Sequence, residues 1–496
     1  MAKPGRAALE NCKRSPNPST RLQLARATGG TAQVHPMTAR IVRSRHFLEA
    51  EREFSMQRHW IIRLILAFTC SSLATVRADD WPQWMGPQRD SVWRETGIIK
   101  SIPESGLMVK WRVPVAGGYS GPAVVGGKVF LTEYAREAGT LSNNPGERTE
   151  LAGKERVRCF DAASGKEVWN YEYPCKYSIS YACGPRATPT VSGGKVYTLG
   201  AEGDLVCLDA DQGKLIWKKK LGQEYKVETP IWGFAGAPLV DGQKLICLVG
   251  GEGSVAVAFD KDTGKELWKA LSAREPGYSP PTIIEAGGAR QLLIWHCHAI
   301  NSLNPETGKV YWSVPLEPSY GMSIMAPRKS GDFLFASGNG EVGAALKLNA
   351  DKPDATVVWR SNIKSGVYCS NSPPFIENDT IYGCCCKQGQ FRGVKLETGE
   401  RLWETFVPTT GKQRANSGTA FIVKHEDRFF LFSETGDLIL AKLNPKKYDE
   451  LGRFHVLKPT GECFGREVAW SHPAFAERSL FARNDEELVC VSLAAE

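Results

Sequence analysis

Three short stretches carry the side chains best suited to chemistry. The first, IYGCCCKQGQFRG, sets Cys384, Cys385 and Cys386 side by side. Adjacent thiols suit a redox pair, a metal clamp or a loop staple, and Cys369 lies close enough upstream to join any of these. The second, IWHCHAI, places His296 and His298 either side of Cys297. On a strand, residues i and i+2 share a side, so both imidazoles are placed to bind one metal ion. No third ligand is nearby in sequence, and no metal site is assigned. In the third, Cys175 and Cys183 bracket KYSISYA. They make the best disulfide pair in the chain, provided the chain is exported to an oxidising compartment.

Charge and targeting bear on that proviso. The formal charge of +8 points toward a nucleic acid or a membrane surface, but it sits at the front. Of 62 Lys and Arg residues, 13 precede residue 79, against four of the 54 acids. Residues 79–496 therefore hold 49 basic and 50 acidic groups, which excludes a nucleic-acid footprint. Residues 56–78, MQRHWIIRLILAFTCSSLATVRA, have a basic start, an apolar run from Leu64 to Phe68 and a small-residue exit. This reads as a secretory signal peptide cleaved near Ala78, with an apolar run too short to span a bilayer. Cys70 leaves lipid anchoring as an alternative. Residues 1–55 are a disordered leader or an upstream misassignment, with Met56 the expected start. The expected destination is the periplasm or the exterior, with no transmembrane segment.

Positioning any site requires a scaffold, and internal repetition supplies it. CFDAASGKEVW (159–169), CLDADQGKLIW (207–217), AFDKDTGKELW (258–268), SLNPETGKVYW (302–312) and VKLETGERLW (394–403) share an apolar pair, a turn closed by Gly, and Trp four residues after that Gly. KLNADKPDATVVW ending at Trp359 and KLNPKKYDELGRFHV ending past Phe454 are weaker copies. Between them recur hairpin signals such as TPTVSGGKVYTL and PPFIENDTIYG. Each unit is thus four strands. The expected fold is all-β, an eight-bladed β-propeller of four-stranded antiparallel blades over 107–496, with 79–106 as a lead segment. Trp111 stands before any complete unit, and the chain ends without a Trp strand. The strand carrying Trp111 should therefore complete the last blade and close the ring by pairing N- and C-terminal strands.

The blade consensus, apolar-Asp-x-x-Thr-Gly-Lys-x-x-Trp, resembles the repeat of the pyrroloquinoline quinone (PQQ) dehydrogenases and their propeller relatives. The lead DDWPQWMGPQRDS and the end AWSHPAFAERSLFARNDEELVCVSL look like exported bacterial PQQ-like propellers of the planctomycete type. The same repeat builds a non-enzymatic lipoprotein that assists outer-membrane β-barrel assembly, so the fold alone does not assign an activity. The enzymes imply PQQ with calcium, held by Glu and Asn, an Asp base, and a tryptophan across the quinone. None of these can be matched residue by residue, and no cofactor is assigned. Asn371 and Asn416 fit a ligand role by position only. Some alcohol-oxidising relatives hold an adjacent-cysteine disulfide against the quinone, and the triplet invites that comparison. A loop disulfide among Cys369, Cys384, Cys385 and Cys386 is the favoured reading, beside free thiols and a quinone contact.

In such a blade order, the loops entering each first strand lie on the funnel face. They bring Tyr119, Tyr181, Arg186, Trp232, Phe234, Tyr278, Tyr320, Met322, Tyr368, Asn371, Asn416, Trp470 and His472 to the funnel mouth. Aromatic rims bind flat or apolar ligands and peptides, though the same rings also pack loops together. The expected function is a monomeric, exported module that binds a small molecule or a protein through this face. The alternative is a PQQ- and calcium-dependent dehydrogenase of alcohols or sugars.

Overall fold

The computed structural model describes residues 79–495. The leader, the signal peptide and the Cys70 alternative lie outside the described residues. Eight four-stranded antiparallel sheets form the blades, so the expected propeller is what the chain adopts. Blade one runs from Ala123–Val125 to Glu167–Ile179, and blade seven from Ala420–His425 to Lys447–His455. Blade eight takes three strands from Ala474–Ala476, Ser479–Arg483 and Glu487–Ser492. Its fourth is Val109–Pro114, which pairs with Glu487–Ser492 in a register that sets Trp111 against Cys490. The ring closes as the isolated Trp111 predicts.

The turn motif explains the spacing of Gly and Trp. In four of the five full copies the leading Asp or Asn caps the turn: Asp209 Oδ1 accepts the Gln212 N–H at 2.7 Å, and Asn304 Oδ1 the Thr307 N–H at 3.0 Å, whereas the blade-six copy has Lys395 there. The following Gly adopts positive φ, 71° at Gly165 and 68° at Gly213. It also leaves room for the indole of the preceding blade, since a Cβ on Gly213 would stand 2.6 Å from the Trp169 ring. That indole then donates to the same turn, Trp169 Nε1 to Ala210 O at 3.1 Å and Trp217 Nε1 to Lys261 O at 3.1 Å. Trp111 does the same across the closure, to Ala162 O at 2.9 Å. Trp312 is the exception. It faces the degenerate turn of blade five, which has no Gly, and bonds Gln291 Oε1 in its own blade at 2.8 Å. Phe454 packs against Gly106 of the lead segment.

The lead segment has a role that its sequence does not announce. It runs over the inner strands and ties blades to one another. Trp81 exchanges backbone hydrogen bonds with Val124 at 2.7 and 2.9 Å, Pro82 O accepts from Val191 N, and Trp93 N donates to Lys424 O. The Arg89 guanidinium is buried and donates to the carbonyls of Ala237, Pro238 and Pro281. Arg328, from blade five, donates to the carbonyls of Arg89 and Asp90 at 2.9 and 2.7 Å. Satisfying a buried cation with main-chain oxygens is what makes its burial tolerable, and desolvation still lowers the Arg89 pKa to about 9.

Candidate functional site

The loops entering the eight inner strands converge on a funnel of about 1180 Å³. Its wall takes Tyr119, Arg186, Trp232, Tyr278, Tyr320, Asn371, Trp470 and His472 from the residues expected there. Trp84 of the lead segment joins the lining, with its ring edge-on to His472 at 6.1 Å between centroids. The lead thus both ties the inner strands and contributes to the site. Nothing in its local pattern signals this, because its partners lie in blades far along the chain.

Three expected residues lie elsewhere. Phe234 is buried beside Gly203 between blades two and three, where Gly233 with φ 70° turns the chain inward. Tyr368 packs beneath the Arg401 guanidinium, 5.9 Å from its ring, and its hydroxyl donates to Asn362 O. Asn416 is outside the lining, and its carbonyl accepts from Arg466 Nη2 at 2.7 Å. In their places the funnel gains Arg274, Glu275 and Asn339, while Tyr181 and Met322 line the wall as expected. Phe464 also joins the wall, exposed at the tip of an extra hairpin, Gly461–Cys463 with Arg466–Val468, inserted between blades seven and eight.

The wall is mostly apolar and aromatic. Trp232 and Tyr278 meet edge-on at 5.8 Å, and Arg186 sits over the Tyr119 ring at 5.2 Å with its N–H groups spent on Gly184, Ser180 and Tyr181 carbonyls. Two buried donors in the wall have no partner, the Tyr278 hydroxyl and Trp470 Nε1. The Trp232 main-chain N–H lies toward the Tyr278 oxygen without reaching hydrogen-bond geometry. His472 is buried, and desolvation, with Arg328 adding to it, pushes its pKa down to about 4. It is neutral at physiological pH.

None of the twelve cysteines among the described residues is paired, so none of the expected disulfides is shown. Cys175 lies in the outer strand of blade one, in the cluster around Tyr134 and Tyr177. Cys183 faces Gly117 and Asp485, at the junction with blade eight. The triplet is split: Cys384 packs in the core shared by blades six and seven, while Cys385 and Cys386 join Cys369 in the core of blades four to six. Arg392 Nη1 donates to Cys385 Sγ at 3.3 Å. None of these four thiols is in the funnel wall; Cys385 instead borders a recess of about 60 Å³ with Tyr368, Arg392 and Arg401. A quinone contact by the triplet is therefore not supported.

The wall also tests the cofactor implied by the resemblance. Glu275 is the one carboxylate in the lining, and no Asp is present. One carboxylate does not serve both as a calcium ligand and as a base for a substrate hydroxyl. The donor set does not fit a quinone-and-calcium site.

An eight-bladed ring with one entry loop per blade around an open aromatic funnel defines the PQQ-like propeller class. The family model described as outer membrane protein assembly factor BamB matches residues 153–294 and 296–496, and the chain belongs to that family. The quinohemoprotein alcohol dehydrogenase ADH IIB of Pseudomonas putida is 35% identical over 144 residues, 26% of this chain and 20% of that protein. The BamB of Shewanella oneidensis is 21% identical over 256 residues, 49% of this chain and 63% of that protein. The chain thus matches less than two thirds of the length of either. A crystal structure of BamB from Moraxella catarrhalis aligns over 79% of this chain and 98% of its own, at TM-score 0.51 and 15% identity. The quinohemoprotein alcohol dehydrogenase of Comamonas testosteroni aligns over 84% and 81%, at TM-score 0.56 and 13% identity. Both show the fold.

Proposed function

We propose that this protein is an exported, monomeric binding module whose funnel takes a ring-bearing ligand or an extended aromatic-rich segment of a protein partner. The observation that carries this reading is the wall itself: apolar and aromatic, with a single carboxylate and two buried donors left without partners. An unpaired buried donor costs free energy that a ligand acceptor would recover. Likeness to the BamB proteins supports a protein partner. No helix among the described residues is long and apolar enough to cross a membrane.

The second reading is a quinone-dependent dehydrogenase, favoured by the 35% identity to the P. putida enzyme over 144 residues. The missing second carboxylate weighs against it. Titration separates the two readings, following fluorescence from Trp84, Trp232 and Trp470. One series uses extended peptides with alternating aromatic residues, the other PQQ with calcium. Saturable peptide binding that is lost in Trp470→Ala supports the module. Quinone binding at micromolar or tighter affinity, with dye reduction by alcohols or sugars, overturns it.

A further inference from the structure

We propose that the turn joining the second and third strands of blade four is a metal site, in which His296, Cys297 and His298 hold one borderline divalent ion of the Zn²⁺ type. The triad lies between the strands Ala289–Trp295 and Ala299–Leu303, where the chain has left the sheet. The His296 N–H donates to Ala299 O at 3.1 Å and closes a tight turn with Cys297 and His298 at its centre. On a strand, Cys297 would point away from its neighbours. The turn removes that alternation and brings one ligand atom from each of the three side chains within 4.8 Å of the others. Cys297 is the third ligand that strand spacing hides.

The surroundings suit an ion. His296 and Cys297 are buried at 5% and 2% exposure, while His298 is half-buried and opens a path for entry. The imidazole planes stand at 85° with centroids 5.9 Å apart, so the rings do not stack. Tetrahedral zinc with bonds of about 2.0–2.3 Å sets ligand atoms about 3.3–3.7 Å apart, so the donors need to close by about 1 Å. Rotation of the half-buried His298 ring supplies such a shift. His296 Nδ1 now accepts the His298 N–H at 3.1 Å. The ion takes that lone pair, exchanging a hydrogen bond for a coordination bond. Cys297 gives its thiol proton to solvent as the metal–sulfur bond forms, and nothing is oxidised or reduced.

Nitrogen and sulfur donors together select zinc-like ions over calcium or magnesium, which prefer oxygen. Glu275 lies beside the triad. A Cβ on Gly321 would stand 2.9 Å from Glu275 Oε2 and 3.3 Å from Cys297 Cβ, so the carboxylate and the cysteine share the Gly321 surface. Glu275 is also the carboxylate of the funnel wall, and the site therefore borders the funnel. The cysteine triplet offers no such site, because the Arg392 guanidinium on Cys385 repels a cation.

The test is independent of what the funnel binds. Chelator-treated, reduced protein is titrated with Zn²⁺ by calorimetry and with Co²⁺ by absorbance. One equivalent should bind, with a thiolate-to-cobalt charge-transfer band in the near ultraviolet. Cys297→Ser should abolish that band and weaken zinc binding at least tenfold, and His298→Gln should weaken zinc binding at least tenfold with the band diminished. Cys385→Ser should leave both intact. Melting curves of the metal-free variants establish folding, and the partly exposed His298→Gln serves if Cys297→Ser does not fold. Absence of stoichiometric binding, or a cobalt band or zinc affinity unchanged by these substitutions, overturns the proposal.

Discussion

The indole girdle and the funnel rim are built from the same blades, yet only one of them repeats. In the girdle, Trp111, Trp169, Trp217 and Trp268 each meet the next blade through one device: a capped turn, a Gly with positive φ, and an indole N–H bonded to a turn carbonyl. In the rim, every blade contributes a different residue, and two donors have no partner. The girdle is a scaffold solved once and copied. The rim is where the copies diverge. Perturbing the girdle should therefore cost stability, whereas perturbing the rim should cost binding.

The largest effect is expected where the girdle closes. Deleting 107–116 removes the strand Val109–Pro114, leaves Glu487–Ser492 unpaired on one side, and strips Trp111 from the turn of blade one. Loss of one apolar strand is worth several kcal/mol by area alone, a large share of typical net stability. Calorimetry should show a sharply lowered Tm or no cooperative transition. An unchanged melting curve would mean that the ring does not depend on this seam.

Within the ring, Trp268→Ala should cost about 3–5 kcal/mol, typical for removing a buried indole. Trp268 is buried, packs on Gly308, and donates to Pro305 O at 3.2 Å. Urea unfolding at neutral pH reads the loss. A cost below about 1 kcal/mol would make the indoles ornaments of the fold rather than its seams.

These two perturbations act on what the sequence shows plainly. Gly and Trp recur at fixed spacing because each blade needs the same φ and the same free volume. The solitary Trp111 marks the seam for the same reason. The rim was legible only as a face. Tyr278 and Trp470 reach the wall, but Phe234 is turned inward by Gly233, and Tyr368 is captured by Arg401. Such reorientations come from single loop dihedrals and distant partners, which carry no period. Trp84 and Arg89 were hidden for the same reason, since their contacts lie in blades far along the chain. Cys297 is hidden in the sequence because strand alternation does not hold at a turn.

At the rim, pH offers an effect of intermediate size. Burial holds His472 at a pKa of about 4, below the 6.5 of an exposed imidazole. The unfolded chain therefore takes up the proton first. Stability attributable to this residue is complete above pH 6.5 and falls as the pH drops toward 4, by about 3 kcal/mol at most. His296 shows the same depression and contributes its own slope. The comparison of interest is the native protein against His472→Asn, whose amide keeps a donor for Pro473 O, the partner of His472 Nδ1 at 3.2 Å. Denaturant unfolding at pH 7.5 and at pH 4 should show the variant losing less stability than the native protein. Equal losses would place the acid sensitivity elsewhere.

The smallest change in stability, and the one that separates rim from girdle most cleanly, is expected for Tyr278→Phe. The ring is 4% exposed and packs edge-on against Trp232, so its apolar burial survives the substitution. What is removed is a buried hydroxyl without a hydrogen-bond partner. Such a group lowers stability in the free protein, so its loss should leave the unfolding free energy unchanged or raise it by up to about 1 kcal/mol. Binding should respond in the opposite sense. A ligand acceptor that pairs with this hydroxyl gains about 0.5–1.5 kcal/mol, so Tyr278→Phe should weaken binding roughly two- to tenfold. Paired unfolding and fluorescence titrations of the same preparation read both quantities. A variant that loses stability and keeps its affinity would show Tyr278 to be packing of the girdle kind, and the division between copied scaffold and individual rim would fail at its centre.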